Sequence, residues 1–253
     1  MEYGDFVVIN IVLGSIVSVY AIFAAIQFQY LFAGSGELPY GLSYTYYARR
    51  GFFELLFLSG VNILIMLLAV NWTRDEAGAG VSLAKTFCCA LCLMTFILLA
   101  SSYYRMWLYT LDGGLTRLRF LVFGFLVFEA LGLAVTFIYI LKPQFNIIAV
   151  YLALGLTYYL LLNLVPMDSI IARNQINRYF ADGKGDTHYA LSLSTDAAPE
   201  IARLLAAPNP RLADEARNYF TCRRGKYDQF PGWRKFNLSV ERCRRIGDRE
   251  MGG

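Results

Sequence analysis

Apolar residues run almost unbroken through the first two-thirds of the chain and are interrupted at four places by turn-forming or charged residues. Five runs result, at 6–32, 51–72, 83–109, 120–141 and 145–165, each near the roughly 20 residues that a helix needs to cross a bilayer. The breaks carry Gly34-Ser35-Gly36 with Pro39, Arg74-Asp75-Glu76 with Gly78 and Gly80, Asp112-Gly113-Gly114, and Lys142-Pro143. The last break is so short that the fourth and fifth runs are expected to form an antiparallel hairpin. After Pro166 no window is apolar enough to cross again. The pattern predicts an all-α fold: a polytopic membrane bundle of about five transmembrane helices over 1–166, followed by an amphipathic helix and a helical soluble tail over 167–253.

Within the tail the periodicity changes. Asp168 is placed to N-cap a helix over 169–180, with Ile170, Ile171 and Tyr179 set against Arg173, Asn177 and Arg178 on a surface-lying face. Residues 182–186 read as a loop. Thr195 or Asp196 then caps a helix reaching about Ala206, with Pro199 in its first turn. Asn209-Pro210 opens another helix to about Arg223, and Pro231-Gly232 precedes a last one that includes Trp233, Phe236, Leu238, Val240 and Cys243. The tail is rich in aromatic and aliphatic residues, which disordered segments lack because they cannot bury them. It is therefore expected to be packed, to lean on the bundle through pairs drawn from Arg105, Arg117 and Arg119 with Asp168, Asp182 and Asp196, and to dock partners through Trp233 and Phe236.

Composition agrees with this division. The chain is 57% hydrophobic and 17% charged, against roughly 45–50% and about 25% for a soluble domain. Fifteen of the 23 Lys and Arg residues, and 11 of the 19 acids, lie after Pro166. The basic residues alternate with acids, so nucleic-acid binding is not expected. A cleavable signal peptide is not expected either: the first residues carry no basic stretch, and the apolar run after them is too long.

With five crossings, three basic residues fall on the side of the N-terminus and twenty on the side of the tail. The positive-inside rule then puts the N-terminus outside and the tail in the cytoplasm, in the cell inner (plasma) membrane.

Polar residues inside the apolar runs carry the candidate chemistry, because an ionisable side chain in hydrocarbon costs about 2.5–3.5 kcal/mol and calls for a partner or a role. Glu54 stands about 6 Å past Arg50, at a depth matched by Arg105, so the two are expected to pair. Glu129 lies about 15 Å past Arg119, near the midplane, where Asn62 or a tyrosine hydroxyl is the expected hydrogen-bond partner. It reads either as a proton, ion or substrate path or as a structural clasp between helices. Gly14, Ser18, Ala21 and Ala25 form a small-residue stripe suited to close helix approach.

Cys88, Cys89 and Cys92 read as small residues at a packing seam, since no second cluster accompanies them and the one histidine, His188, is in the tail. Hydrolase, nucleotide-loop and zinc-protease motifs are absent from the sequence. No catalytic, cofactor-binding or metal-binding residue is assigned, and no cofactor is expected.

Six stretches together resemble a known family: AAIQFQYLF at 24–32, YARRGFFEL at 47–55, SSYYRMWLY at 101–109, GLTRLR at 114–119, DSIIARN at 168–174 and STDAAP at 194–199. Their order and spacing are similar to the bacterial multi-pass membrane proteins catalogued as domain of unknown function 4173, related to 4153. This chain looks like the C-terminal half of that family. The resemblance brings no activity with it. Its motif positions single out Tyr47, Arg49, Glu54, Arg105, Tyr109, Thr116, Arg119, Asp168, Arg173 and Asn174 as a polar cluster at the cytoplasmic membrane face.

Three roles fit these observations. The first is a non-catalytic subunit or sensor-like scaffold of a membrane complex, binding membrane lipids and protein partners through bundle and tail. The second is a small transporter or channel-like protein using Glu129. The third is a lipid-active enzyme using the polar cluster.

Overall fold

A computed structural model describes residues 3–32, 44–73, 78–228 and 237–251, which are helical nearly throughout and contain no strand. Five helices occupy the five apolar runs: α1 (Tyr3–Phe32), α2 (Tyr44–Trp72), α3 (Ala79–Gly113), α4 (Arg117–Leu141) and α5 (Ile147–Leu164). Three of them, α3, α4 and α5, are long and apolar enough among the described residues to cross a membrane. Large apolar side chains such as Leu93, Leu131, Leu152 and Leu160 stand exposed along them, as lipid-facing residues do and as residues of a soluble domain rarely do in such numbers. The chain is a helical membrane protein.

Two compact units divide the molecule. The first comprises Met1–Tyr109 with Val122–Tyr159, and the second comprises Thr110–Leu121 with Leu160–Gly253.

In the first unit, Leu13, Met66, Val70, Ala84, Cys88, Leu91, Cys92, Leu133 and Ile140 form the buried core. Cys88 and Cys92 are part of that seam, as small residues between helices. The hairpin of α4 and α5 is antiparallel, because Gly132 faces Tyr151 while Gly124, two turns earlier, faces Tyr158, two turns later. Asn146 caps α5, its Oδ1 accepting the Ala149 N–H at 3.2 Å.

The small-residue stripe on α1 is corrected. Gly14 does meet the Phe87 ring, but Ser18, Ala21 and Ala25 are exposed. The packed face of α1 is the apolar one, with Leu13 buried and Ile9, Ile16, Val17 and Tyr20 against the core. Larger side chains exclude more surface than a stripe of small ones, and of the stripe only Gly14 is closely approached, by Phe87.

The second unit holds α6 (Met167–Asp182), α7 (Thr187–Ser192), a run of short turns over Thr195–Ala206 that includes α8 (Ala198–Ile201), then α9 (Pro210–Asp228) and α10 (Leu238–Met251). Ile171, Ile176, Ala190, Leu193, Ile201, Leu204, Ala216, Phe220 and Cys243 form one buried core to which every helix of the tail contributes, α7 through Ala190. The tail is packed. Helix α7 was hidden in the sequence because six residues are too few for a periodic signal. It forms because Asp186 accepts the Tyr189 N–H at 2.8 Å. The last helix opens at Leu238, where Asn237 accepts the Ser239 N–H at 2.9 Å. Trp233 and Phe236 lie outside the described residues.

Candidate functional site

The second unit is organised around the turn between α3 and α4. Helix α3 stops at Gly113, and Gly114 adopts φ +71°, a left-handed backbone that glycine enters without strain. A Cβ at Gly114 would also sit 2.6 Å from the Gln175 side-chain amide and displace it, so the handedness requires glycine there and the amide's position favours it.

Helix α6 supplies the groups that this turn leaves unpaired. Arg178 donates to the Thr110 carbonyl at 3.0 Å and to the Asp112 carbonyl at 2.7 Å, satisfying the last turn of α3 and complementing its negative dipole end. Asn174 Oδ1 accepts the Leu115 N–H, and Gln175 Nε2 donates to the Leu115 carbonyl, both at 2.9 Å. Gln175 Oε1 accepts the Asp186 N–H at 3.1 Å, so this single buried amide joins the α3–α4 turn to the start of α7. Gly185 passes so close to α6 that a Cβ there would lie 1.9 Å from the Gln175 carbonyl oxygen.

A second knot surrounds Asp168. Arg117 grips its carboxylate with two bonds, Nε to Oδ1 at 2.7 Å and Nη2 to Oδ2 at 2.5 Å, while the Ser194 N–H donates to Oδ2 at 2.9 Å. Burial would push the Asp168 carboxyl up, but the Arg117 hydrogen bonds, the Ser194 hydroxyl and N–H, and the Arg117 charge together outweigh it and hold its pKa at about 2. Ser194 is itself fixed, its carbonyl accepting the Tyr219 hydroxyl at 2.7 Å. Arg223 donates to the neighbouring Leu193 carbonyl at 2.5 Å, and the Thr195 and Ser239 hydroxyls are hydrogen-bonded to each other at 2.6 Å. Asp168 is thus a corner post for four segments. A carboxylate held this far below neutral pH is a feeble general base, so Asp168 is poorly suited to activate Ser194 as a nucleophile.

The N-cap expected at Asp168 is corrected. Pro166 stands at the N-cap without a side-chain bond. Asp168 sits in the first turn with its carboxylate turned to Arg117, because a bidentate guanidinium partner outweighs one backbone N–H. Of the pairs expected between the α3–α4 turn and the tail, Arg117–Asp168 forms.

Five of the motif residues lie in this unit, and four of them, Thr116, Arg119, Asp168 and Asn174, bond within it. Arg119 is buried and donates to the Gly114 carbonyl, and Thr116 Oγ1 accepts the Arg119 N–H at a long 3.4 Å. Arg173 is exposed on the outer face of α6. Arg105 and Tyr109 are half-buried in α3 and belong to the first unit. The side chains of Tyr47, Arg49 and Glu54 lie outside the described residues, and the expected Glu54–Arg105 pair with them. Gln175, Tyr189 and Ser194 are not singled out from the sequence as site residues, and Arg178, expected only on the polar side of a surface-lying helix, instead closes the last turn of α3. The available signal was the recurrence of polar residues at 168, 175 and 178 along the same side of α6 as the buried Ile171.

In the first unit, Glu129 makes no hydrogen bond to Asn62 or to a tyrosine hydroxyl among the described residues. Its Oε1 lies 2.5 Å from the Ser59 hydroxyl of α2, and Asn62, one turn further along, bonds Thr95 of α3 at 3.0 Å instead.

Apolar helices long enough to cross a membrane, and a separate compact unit in which polar side chains of α6 close the α3–α4 turn, define a helical membrane protein. Residues 2–204 match the family described as a domain of unknown function (DUF4153), and the chain belongs to that family. No curated protein and no solved structure matches the chain.

Proposed function

We propose that this chain is a non-catalytic, multi-pass subunit or sensor-like scaffold of a membrane assembly, binding lipids with its bundle and protein partners with bundle and tail. The observation that carries this reading is the closure of the polar cluster. Asp168, Asn174, Gln175, Arg178 and Arg119 all bond the protein's own backbone or each other's neighbours, an arrangement that holds a shape rather than turns over a substrate. The same closure weighs against a lipid-active enzyme built on this cluster. The five apolar helices cross the inner membrane of a bacterium with the N-terminus outside and the tail in the cytoplasm, a reading supported by the twenty-to-three division of basic residues. Kinship with domain of unknown function 4173, and correspondence to its C-terminal half, rest on the six shared stretches.

Purification of the full chain in mild detergent followed by native mass spectrometry should return a stoichiometric complex with another protein. Recovery of a lone chain that chemically alters added phospholipid would overturn the proposal. Cysteine labelling should find Gly80 accessible from outside and Lys184 from the cytoplasm, and the reverse would overturn the orientation. A second reading, a small transporter or channel-like protein, is favoured by one observation: Glu129 Oε2 is buried without a hydrogen-bond partner.

A further inference from the structure

The polar cluster around Glu129 has more acceptors than protons to serve them. Ser59 Oγ lies 2.7 Å from the Leu56 carbonyl and 2.5 Å from Glu129 Oε1, yet a hydroxyl carries a single proton and cannot donate to both. Thr95 Oγ1 lies 2.7 Å from the Leu91 carbonyl, which takes its proton. Thr95 therefore faces the amide nitrogen of Asn62 and not its oxygen. That amide group also meets the Tyr20 hydroxyl of α1. Asn62 Oδ1 and Glu129 Oε2 are left buried with no donor, and Ser59, Asn62 and Thr95 are each at most 1% exposed. Ser59 and Asn62, three residues apart on α2, share one face of that helix.

Orphaned acceptors in a water-poor interior are costly, and a surplus of them around a carboxyl is an arrangement that favours positive charge. The titratable neighbours do not bring one. Tyr151 of α5 and Cys92 of α3 lie in the same electrostatic environment as Glu129, and neither carries a cationic form. Among the described residues no lysine or arginine is paired with Glu129.

We propose that Glu129, Ser59 and Asn62 form an intramembrane binding site for a small monovalent cation, either a proton carried on the Glu129 carboxyl or a sodium ion held between that carboxyl and the Asn62 carbonyl. A proton on Glu129 resolves the Ser59 conflict, because the carboxyl becomes the donor across the 2.5 Å contact. A sodium ion would instead be coordinated by the oxygens left without donors, the ligand type that hard cations take. One carboxylate matches one positive charge, and no group of three or more metal-binding side chains occurs among the described residues to hold a divalent ion. This goes beyond the subunit role, since it makes the bundle responsive to a cation.

The test uses the full chain in detergent, with protons and sodium chloride as the probes. Infrared spectra recorded from mildly acidic to mildly basic pH should show a protonated-carboxyl band that disappears in Glu129→Gln if the ligand is a proton. If it is sodium, the melting temperature should rise in sodium chloride over choline chloride at equal ionic strength, and Glu129→Gln should abolish the rise. The proposal is overturned if the wild-type chain melts identically in both salts and shows either no such band or one that persists in Glu129→Gln. If Glu129→Gln does not fold, Ser59→Ala, which removes the hydroxyl facing the carboxyl, should shift the band or reduce the sodium effect, and an unchanged response overturns the proposal.

Discussion

In the first compact unit the hydroxyls of Thr95, Ser102 and Thr157 bond carbonyls of their own helix one turn back, at 2.7–2.9 Å. In the second, Asn174, Gln175, Arg178 and Asp168 reach partners 51 to 68 residues earlier in the chain. The contrast follows from the backbone each unit must satisfy. A long helix already pairs its own N–H and C=O groups, so a hydroxyl on it can turn back on its own turn, and long-range bonds of this unit such as Tyr139 to Asn71 join two side chains rather than close open backbone. A turn such as 113–116 leaves donors and acceptors open, and side chains must travel to close them. An unserved polar atom therefore means different things in the two regions. In the tail it would be a packing fault, whereas in the bundle, where nothing obliges Glu129 to be present, it marks a site.

Four outcomes would break or sharpen this contrast. The largest effect belongs to Gly185→Ala, which forces a methyl group to within 1.9 Å of a backbone oxygen on α6. The displacement should destabilise the tail by about 3 kcal/mol or more and open it to limited proteolysis. A protease-resistant variant would mean that the tail is not held by this clasp.

Next is Asp168→Ala, which removes a charged hydrogen-bond acceptor shared by Arg117 and Ser194. It should cost about 2–3 kcal/mol, measured by chemical unfolding in detergent. A loss below about 0.5 kcal/mol would show that the knot is decorative.

Acid should reproduce part of that loss. The folded pKa of Asp168, about 2, lies below its ordinary 3.8, so its contribution of roughly 2 kcal/mol is complete above about pH 4. It is lost as pH falls from there toward 2, because protons then favour the unfolded chain. Asp168→Asn should flatten that part of the stability profile. An unchanged profile would reassign the acid sensitivity to other carboxylates.

The smallest effect is expected for Thr157→Val in the bundle. Its hydroxyl serves only the Ala153 carbonyl, which its own helix already satisfies, so the melting temperature should move by the equivalent of about 0.5 kcal/mol at most. A larger drop would mean that the self-bonded hydroxyls of the bundle matter as much as the long-range bonds of the tail.

The helices were legible in the sequence where physics acts on many residues at once. Runs of about 20 apolar residues announce α1 to α5 without reference to any partner, and the tail's aromatic content announces a packed core. What stayed hidden depends on single pairings across long separations. Asp168 has the features of an N-cap until Arg117, 51 residues away, is brought beside it. Gln175 is an ordinary helical glutamine until Gly114 and Gly185 press against it from two sides. Ser59, one turn before the expected Asn62, meets Glu129 instead, since α2 presents both on one face and Thr95 engages Asn62. Periodicity gives the face of a helix but not which residue along it finds a partner.

The α3–α4 turn shares a compact unit with residues that follow it only after two further helices, and this has a consequence for synthesis. Ribosomes add about 5–20 residues per second, so the 51 to 72 residues that separate Leu115 and Arg117 from Asp168, Asn174 and Tyr189 correspond to a wait of roughly 3–15 seconds. Throughout that interval the turn has emerged without its partners, and α4 and α5 must be made before Asp168 exists to receive Arg117. The nascent chain thus carries a timed vacancy. Any factor that attends this protein during its birth has a window of seconds in which Leu115 and the last carbonyls of α3 are open to it, and that window closes when α6 is complete.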